Sequence, residues 1–238
     1  MGIKRKAPGP RNGTTKTETS GATELKPSAR ATTKPQRAEE LVFSPRPDWH
    51  AAELPELETG QTAHEELSVR TTDEIHKHAT SLLEAENERY ASSQKSSSSS
   101  SQKFLSTIMA SGTLEDKISA LTLMVQESPL HAMKAFDNLI GLARKKSRNQ
   151  ALMAIAAVKD LLCQGMVLPA DRKLRAFGKQ PGLLGSVPAK IYYRPGMPLL
   201  GGVKDTHLMY WAYEDWLKKT YFEPVSYTHL TLPTKRIV

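Results

Sequence analysis

Ser128, His131 and Asp137 are the residue types of a hydrolytic nucleophile, its base and an orienting acid, and they stand close together in the chain. On a helix, however, His131 and Asp137 are six positions apart, which at 100° per residue is about 600° of rotation and places them on different faces. Ser128, directly before Pro129, reads instead as a helix cap with proline at the first helical position. His76 and His78 alternate, whereas two ligands on one helix need a spacing of three or four, so they read as solvated polar positions rather than metal ligands. Glu39–Glu40 and Glu115–Asp116 are adjacent, not facing, and the second pair sits in a first helical turn where negative charge is favourable. The Gly182-Leu183-Leu184-Gly185 and Gly201-Gly202 pairs lack the G-x-x-x-x-G-K-[ST] pattern of a phosphate loop. The single cysteine, Cys163, excludes an intramolecular disulfide and a cysteine zinc site; its place in an apolar helix reads as inert packing. The residues therefore imply no catalytic group, no metal and no cofactor, and the function read from them is non-enzymatic.

The chemistry that remains is electrostatic. Arg144, Lys145, Lys146 and Arg148 surround one helix–helix turn, and Arg172, Lys173, Arg175 and Lys179 follow the next helix. A helix over 149–164 is about 24 Å long, so in an antiparallel stack the two groups form separate patches at its opposite ends. Phosphate binding by such side chains positions a nucleic acid without reading its sequence. Three readings stand side by side: RNA contact, contact with an acidic protein, and a solvated charged turn that also satisfies a helix C-terminus. The chain as a whole has 33 Lys and Arg against 25 Asp and Glu, a net charge of +8, which favours polyanionic partners. Lys4-Arg5-Lys6 is a candidate nuclear-import cluster, or part of an ordinary basic tail. The apolar runs fall short of the roughly 18 residues of a membrane span, and no apolar stretch follows the basic N-terminus as in a signal peptide.

These side chains need helices to hold them. Thr113 caps a helix in which Leu114, Ile118, Leu121 and Val125 form one stripe, with Asp116 in the place of a capping-box acid. Met133, Phe136, Ile140 and Ala143 stripe a second helix after Ser128-Pro129. A third opens at an S-x-x-Q box, Ser147 to Gln150, carries Leu152, Ile155, Val158 or Lys159, and Leu162 on one side, and ends near Gly165. That third helix is apolar on more than one side, and reads as an inner helix between neighbours. The fold class is all-α: HEAT- or armadillo-like antiparallel helical repeats with a disordered basic tail.

Along the chain, residues 1–40 read as the disordered tail, and 41–71 as an extended, proline-containing strap docking Val42, Phe43, Trp49 and Leu54. An amphipathic helix over 72–91 follows, with Ile75, Ala79, Leu82 and Tyr90 on one face and Glu84, Glu86, Glu88 and Arg89 on the other. Residues 92–102, with six consecutive serines, read as a flexible linker. The helical block spans 103–178 and includes a short helix carrying Arg172, Lys173 and Arg175 behind Asp171. A Gly/Pro loop covers 179–206. An aromatic helix over 207–223, capped by Asp205 or Thr206, reads as the core helix of a further, truncated repeat, or as a stacking face for RNA. Residues 224–238 hold VSYTHLTLPT, which resembles a translated sequencing adaptor, and they are set aside as an artefact.

The strings SGTLEDKISALTLMVQESPLHA, LARKKSRNQALMAIAAVKDLL and LPADRKLRAF, with LMYWAYEDWLKKTY, resemble the CCAAT-binding-factor family, the nucleolar-complex proteins related to CCAAT/enhancer-binding protein zeta. The resemblance runs from about Phe104 to Tyr221. It implies an N-terminal fragment of an α-helical-repeat protein of the nucleus and nucleolus. It implies a non-enzymatic assembly factor of the large ribosomal subunit, with precursor ribosomal RNA, large-subunit precursor particles and a second nucleolar-complex protein as partners, and neither a membrane nor a small-molecule substrate. The family's name carries the alternative, a DNA-associated transcription regulator, although no zinc finger or basic zipper stands in this sequence.

Overall fold

The computed structural model describes residues 40–58, 67–96, 100–165, 167–170, 172–188 and 191–231, the last eleven of these and residues 96, 101 and 102 by backbone alone. The tail with Lys4, Arg5 and Lys6 lies outside the described residues, as does Asp171. Within 40–231 the described residues form helices and irregular segments, with no strand among them. The fold class is all-α.

Six helices follow in order: α1 Val69–Ser96, α2 Ser100–Ser111, α3 Leu114–Glu127, α4 Met133–Ala143, α5 Arg148–Cys163 and α6 Asp205–Thr231. α3, α4 and α5 pack on one another, with α2 against α3, as the short connections between them require. α1 packs against α6, its partner from the far end of the chain. Residues 40–58 cross this helical body as an extended segment with a single 3-10 turn at Trp49–Ala51.

The capping box that opens α3 is complete. The Asp116 N–H donates to Thr113 Oγ1 at 3.2 Å, and the Thr113 N–H donates to Asp116 Oδ2 at 3.0 Å. Hydrogen bonds from the Thr113 hydroxyl and N–H hold the Asp116 carboxyl below its ordinary range. Thr113→Ala is expected to cost about 1 kcal/mol, read as a lower urea midpoint with an unchanged slope. A midpoint equal to wild type would show that the box adds nothing to the folded state. Ile118, Leu121 and Val125 are buried on α3, and Phe136, Leu139 and Ile140 on α4, as the apolar spacing requires.

Several expectations are corrected. Ser128 does not cap α4: it is the C-cap residue of α3, its carbonyl accepts the N–H groups of His131 and Ala132, and α4 begins only at Met133. Ser147 makes no side-chain cap to α5. α5 is not an inner helix. Its buried stripe is Ala154, Val158 and Leu161, while Leu152 is 53% exposed and Cys163 is exposed. Val42 is also exposed, at 43%, rather than docked. Helix continues through 92–96 and resumes at Ser100 where a linker was expected, because serine costs a helix little and returns its hydroxyl to the preceding turn, as from Ser93 to the Tyr90 carbonyl at 2.8 Å. Residues 172–176 are extended, and only Phe177–Lys179 forms a 3-10 turn. The cap position of α6 is Lys204, not Asp205 or Thr206: the Lys204 N–H donates to His207 Nδ1 at 3.1 Å. α6 continues along the backbone to Thr231, past residue 223.

Candidate nucleic-acid interface

The turn between α4 and α5 presents Arg144, Lys145, Lys146 and Arg148, all exposed. The turn is held by backbone bonds from the Arg144 N–H to the Ile140 carbonyl and from the Lys145 N–H to the Leu142 carbonyl, both 3.2 Å. Cations here face the negative end of α4, which is favourable. Arg148 begins α5, so its charge adds to the positive end of that helix, whose first N–H groups have no side-chain cap from Ser147. The turn thus gathers four exposed basic side chains.

The second group divides. Lys173, Arg175 and Lys179 are exposed. Arg172 is committed inward: its Nη2 donates to Glu214 Oε2 at 2.9 Å and its Nε to Oε1 at 3.3 Å. Its guanidinium also lies 5.1 Å from the Tyr210 ring centre and 5.8 Å from that of Trp49. A two-point carboxylate grip between aromatic rings makes Arg172 a fastening of the extended segment rather than a phosphate ligand.

Two buried carboxylates of α6 shape that segment. Glu214 is fully buried and also accepts the Arg175 N–H at 3.0 Å and Gln180 Nε2 at 3.0 Å. Asp215 accepts the Phe177 N–H at 3.0 Å and stands 2.6 Å from Lys219 Nζ and 3.3 Å from His76 Nε2. Burial pushes the Asp215 carboxyl up, but hydrogen bonds from His76, Lys219 and the Phe177 N–H outweigh burial and hold it well below the carboxylate range. Its stabilising part is complete above about pH 4 and is lost as pH falls toward that depressed folded value. Burial pushes the Tyr210 hydroxyl up to about 12, with Arg172 opposing and Glu214 adding to the shift. His76 thus serves a carboxylate, and no group of three or more metal-ligating side chains stands together among the described residues.

Ser128 and His131 do meet: the hydroxyl is 2.7 Å from Nδ1, and both residues are buried. Asp137 lies on the exposed side of α4, and the carboxylate nearest the imidazole is Glu86 of α1, at 3.7 Å from Nε2. Glu86 is itself occupied. Its Oε1 accepts the N–H groups of Val42 and Phe43 at 2.7 and 3.0 Å, and its Oε2 accepts Arg89 Nη1 at 3.1 Å. The group therefore ties the extended segment to α1. Sequence reasoning placed Glu86 on the polar face, yet 75, 79, 83 and 86 form one stripe at helical spacing, and that stripe is the buried one. Burial lowers the His131 basicity, and Glu86 offsets this only in part. The unfolded chain then takes up the proton first as pH falls below about 6.5, so stability is lost from there downward. The difference in urea midpoint between pH 7 and pH 5.5 is expected to shrink in His131→Gln. Equal pH slopes in both proteins would sink that assignment.

No protein-family model matches the chain. Curated proteins do. The chain is 49% identical over 193 residues to "Ribosome biogenesis protein NOC1" of Chaetomium thermophilum, covering 80% of this chain and 18% of that protein. It is 40% identical over 194 residues to an uncharacterized protein of Schizosaccharomyces pombe, covering 80% and 19%. The human CCAAT/enhancer-binding protein zeta is 35% identical over 104 residues, 43% of this chain and 10% of that protein. The chain belongs to the CCAAT-binding-factor/Noc1 family. It spans about a fifth of the length of the first two of these family members.

Proposed function

We propose that the chain is part of a non-enzymatic assembly factor in ribosome biogenesis, a HEAT-like scaffold that holds precursor ribosomal RNA and a second nucleolar-complex protein during large-subunit maturation in the nucleolus. The observation that carries this reading is the 49% identity over 193 residues with a protein named for ribosome biogenesis. The exposed turn at 144–148 supports the RNA part. Four cations there surround a helix N-terminus with no side-chain cap, an arrangement suited to phosphate and indifferent to base sequence. Lys173, Arg175 and Lys179 form a second, weaker point of contact.

Replacing Arg144, Lys145 and Lys146 together by Glu is expected to lower affinity for a precursor ribosomal RNA segment at least about tenfold. Removing three phosphate contacts reduces the slope of log K against log salt by roughly 2 to 3. The measurement is a filter-binding titration between about 50 and 200 mM salt. An unchanged slope would discard this turn as the RNA contact while leaving the assembly role in place. RNA and DNA crosslinked to the protein in its host test the role itself. Recovery of promoter DNA without precursor ribosomal RNA would replace the assembly reading by the transcriptional one.

A further inference from the structure

A cleft of about 490 Å³ opens between the C-terminal part of α1, α2, the end of α3 and the start of α4. It shares no residue with the basic turn or with the 172–180 segment. Its floor is apolar and sulfur-containing, with Leu105 and Met109 from α2 and Met124 from α3. Such methionine surfaces repack readily around a bound side chain. Its edge carries the exposed residues Lys95, Lys103 and Lys134, against one acid, Glu127. One of its lining residues, Asn87, has a buried side-chain oxygen without a hydrogen-bond partner, whereas His131 Nε2 faces Glu86 at 3.7 Å. Buried polar atoms of this kind are rare in native structures and mark a place where something else completes the bonding.

We propose that this cleft is the docking groove for an acidic amphipathic helix of a partner protein. The walls set the class. α1 lines the cleft from Asn87 to Lys95, about 12 Å, which is roughly two turns of a bound helix presenting anchors at i, i+4 and i+7. The three lysines set the charge: acids on the helix flanks pair with them while apolar anchors reach the methionines. A polar side chain next to those anchors satisfies Asn87 Oδ1. The same lysines disfavour a second copy of a chain whose net charge is +8.

The test uses the 238-residue chain and a fluorescein-labelled peptide of about 18 residues, helical by design, with Leu at i, i+4 and i+7 and Glu on its flanks. Controls are the same peptide with Lys for Glu, and a peptide of residues 1–38. Saturable anisotropy binding by the acidic peptide alone is expected. Lys103→Glu with Lys134→Glu weakens it at least tenfold, and Ala91→Trp, which places a large ring in the groove from an exposed position, abolishes it. Both variants keep the helical circular-dichroism spectrum and melting temperature of the parent. The proposal is overturned by absence of saturation, by equal binding of the basic peptide, by competition from residues 1–38, or by indifference to both variants.

Discussion

Glu214→Ala is expected to remove about 3–5 kcal/mol of stability, roughly 1 kcal/mol for each hydrogen bond its buried carboxylate accepts. Glu214 is fully buried and receives four hydrogen bonds: two from Arg172, one from the Arg175 N–H and one from Gln180. The 172–180 segment has only the 3-10 turn at Phe177–Lys179 to satisfy its own backbone. The loss therefore falls on a whole segment rather than on one contact. For a chain of this size it corresponds to a fall in melting temperature of roughly 6–20 °C. Glu214→Gln keeps acceptor capacity on one oxygen and is expected to cost about half as much. Urea unfolding followed by circular dichroism decides the matter. A loss below about 1 kcal/mol for Glu214→Ala would mean that water replaces the carboxylate and that the pair is ornamental. A double-mutant cycle with Arg172→Met separates the ion pair from the backbone bond to Arg175.

Trp49→Ala is expected to cost a similar amount, about 3–5 kcal/mol, for a different reason. The indole is 1% exposed, meets the Tyr213 ring edge-on at 4.9 Å and the Tyr210 ring at 5.3 Å, and donates its Nε1–H to the Val167 carbonyl at 3.0 Å. Truncation leaves a cavity, an unpaired carbonyl and a bare Arg172 in one place. It is expected to raise proteolytic cleavage within 40–58 more than elsewhere, since the segment has lost its largest anchor. Trp49→Phe keeps most of the packing, loses the hydrogen bond, and gives about 1–2 kcal/mol. A Trp49→Ala chain as stable and as protease-resistant as wild type would show that Phe43 and Glu86 hold the segment without it.

What could be read in advance follows the range of the physics. α3 and α4 were legible because their apolar spacing and the Thr113–Asp116 box are local, and the structure keeps both. α5 carried no such clear period: alanines on several sides made its buried face ambiguous, and Ala154, Val158 and Leu161 were the answer rather than Leu152, Ile155 and Leu162. The latches were not legible, because Glu86, Glu214 and Asp215 look like ordinary surface acids in helices. The donors from the extended segments lie between 34 and 44 residues away in the chain, for example Gln180 to Glu214 and Val42 to Glu86. One signal existed. Glu214 and Asp215 stand in a run from His207 to Asp215 with no polar face of its own, and a helix buried on every side must pair its charges inside. The same blindness misassigned Arg172, whose neighbours Lys173 and Arg175 share its type but not its surroundings. It also read α6 as the core helix of a truncated repeat or a stacking face for RNA, whereas α1 and the 40–58 segment pack against it.

The pairing of α1 with α6 has a consequence for the birth of the chain on the ribosome. α2 to α5 can assemble from neighbours as they emerge, but the apolar stripe of α1 has no cover until α6 follows, roughly 135 residues later. At about 5–20 residues per second that is an interval of roughly seven to thirty seconds. Ile75, Ala79 and Leu83 lack that cover throughout it, and the nascent chain would need a chaperone over that one helix and for that one interval.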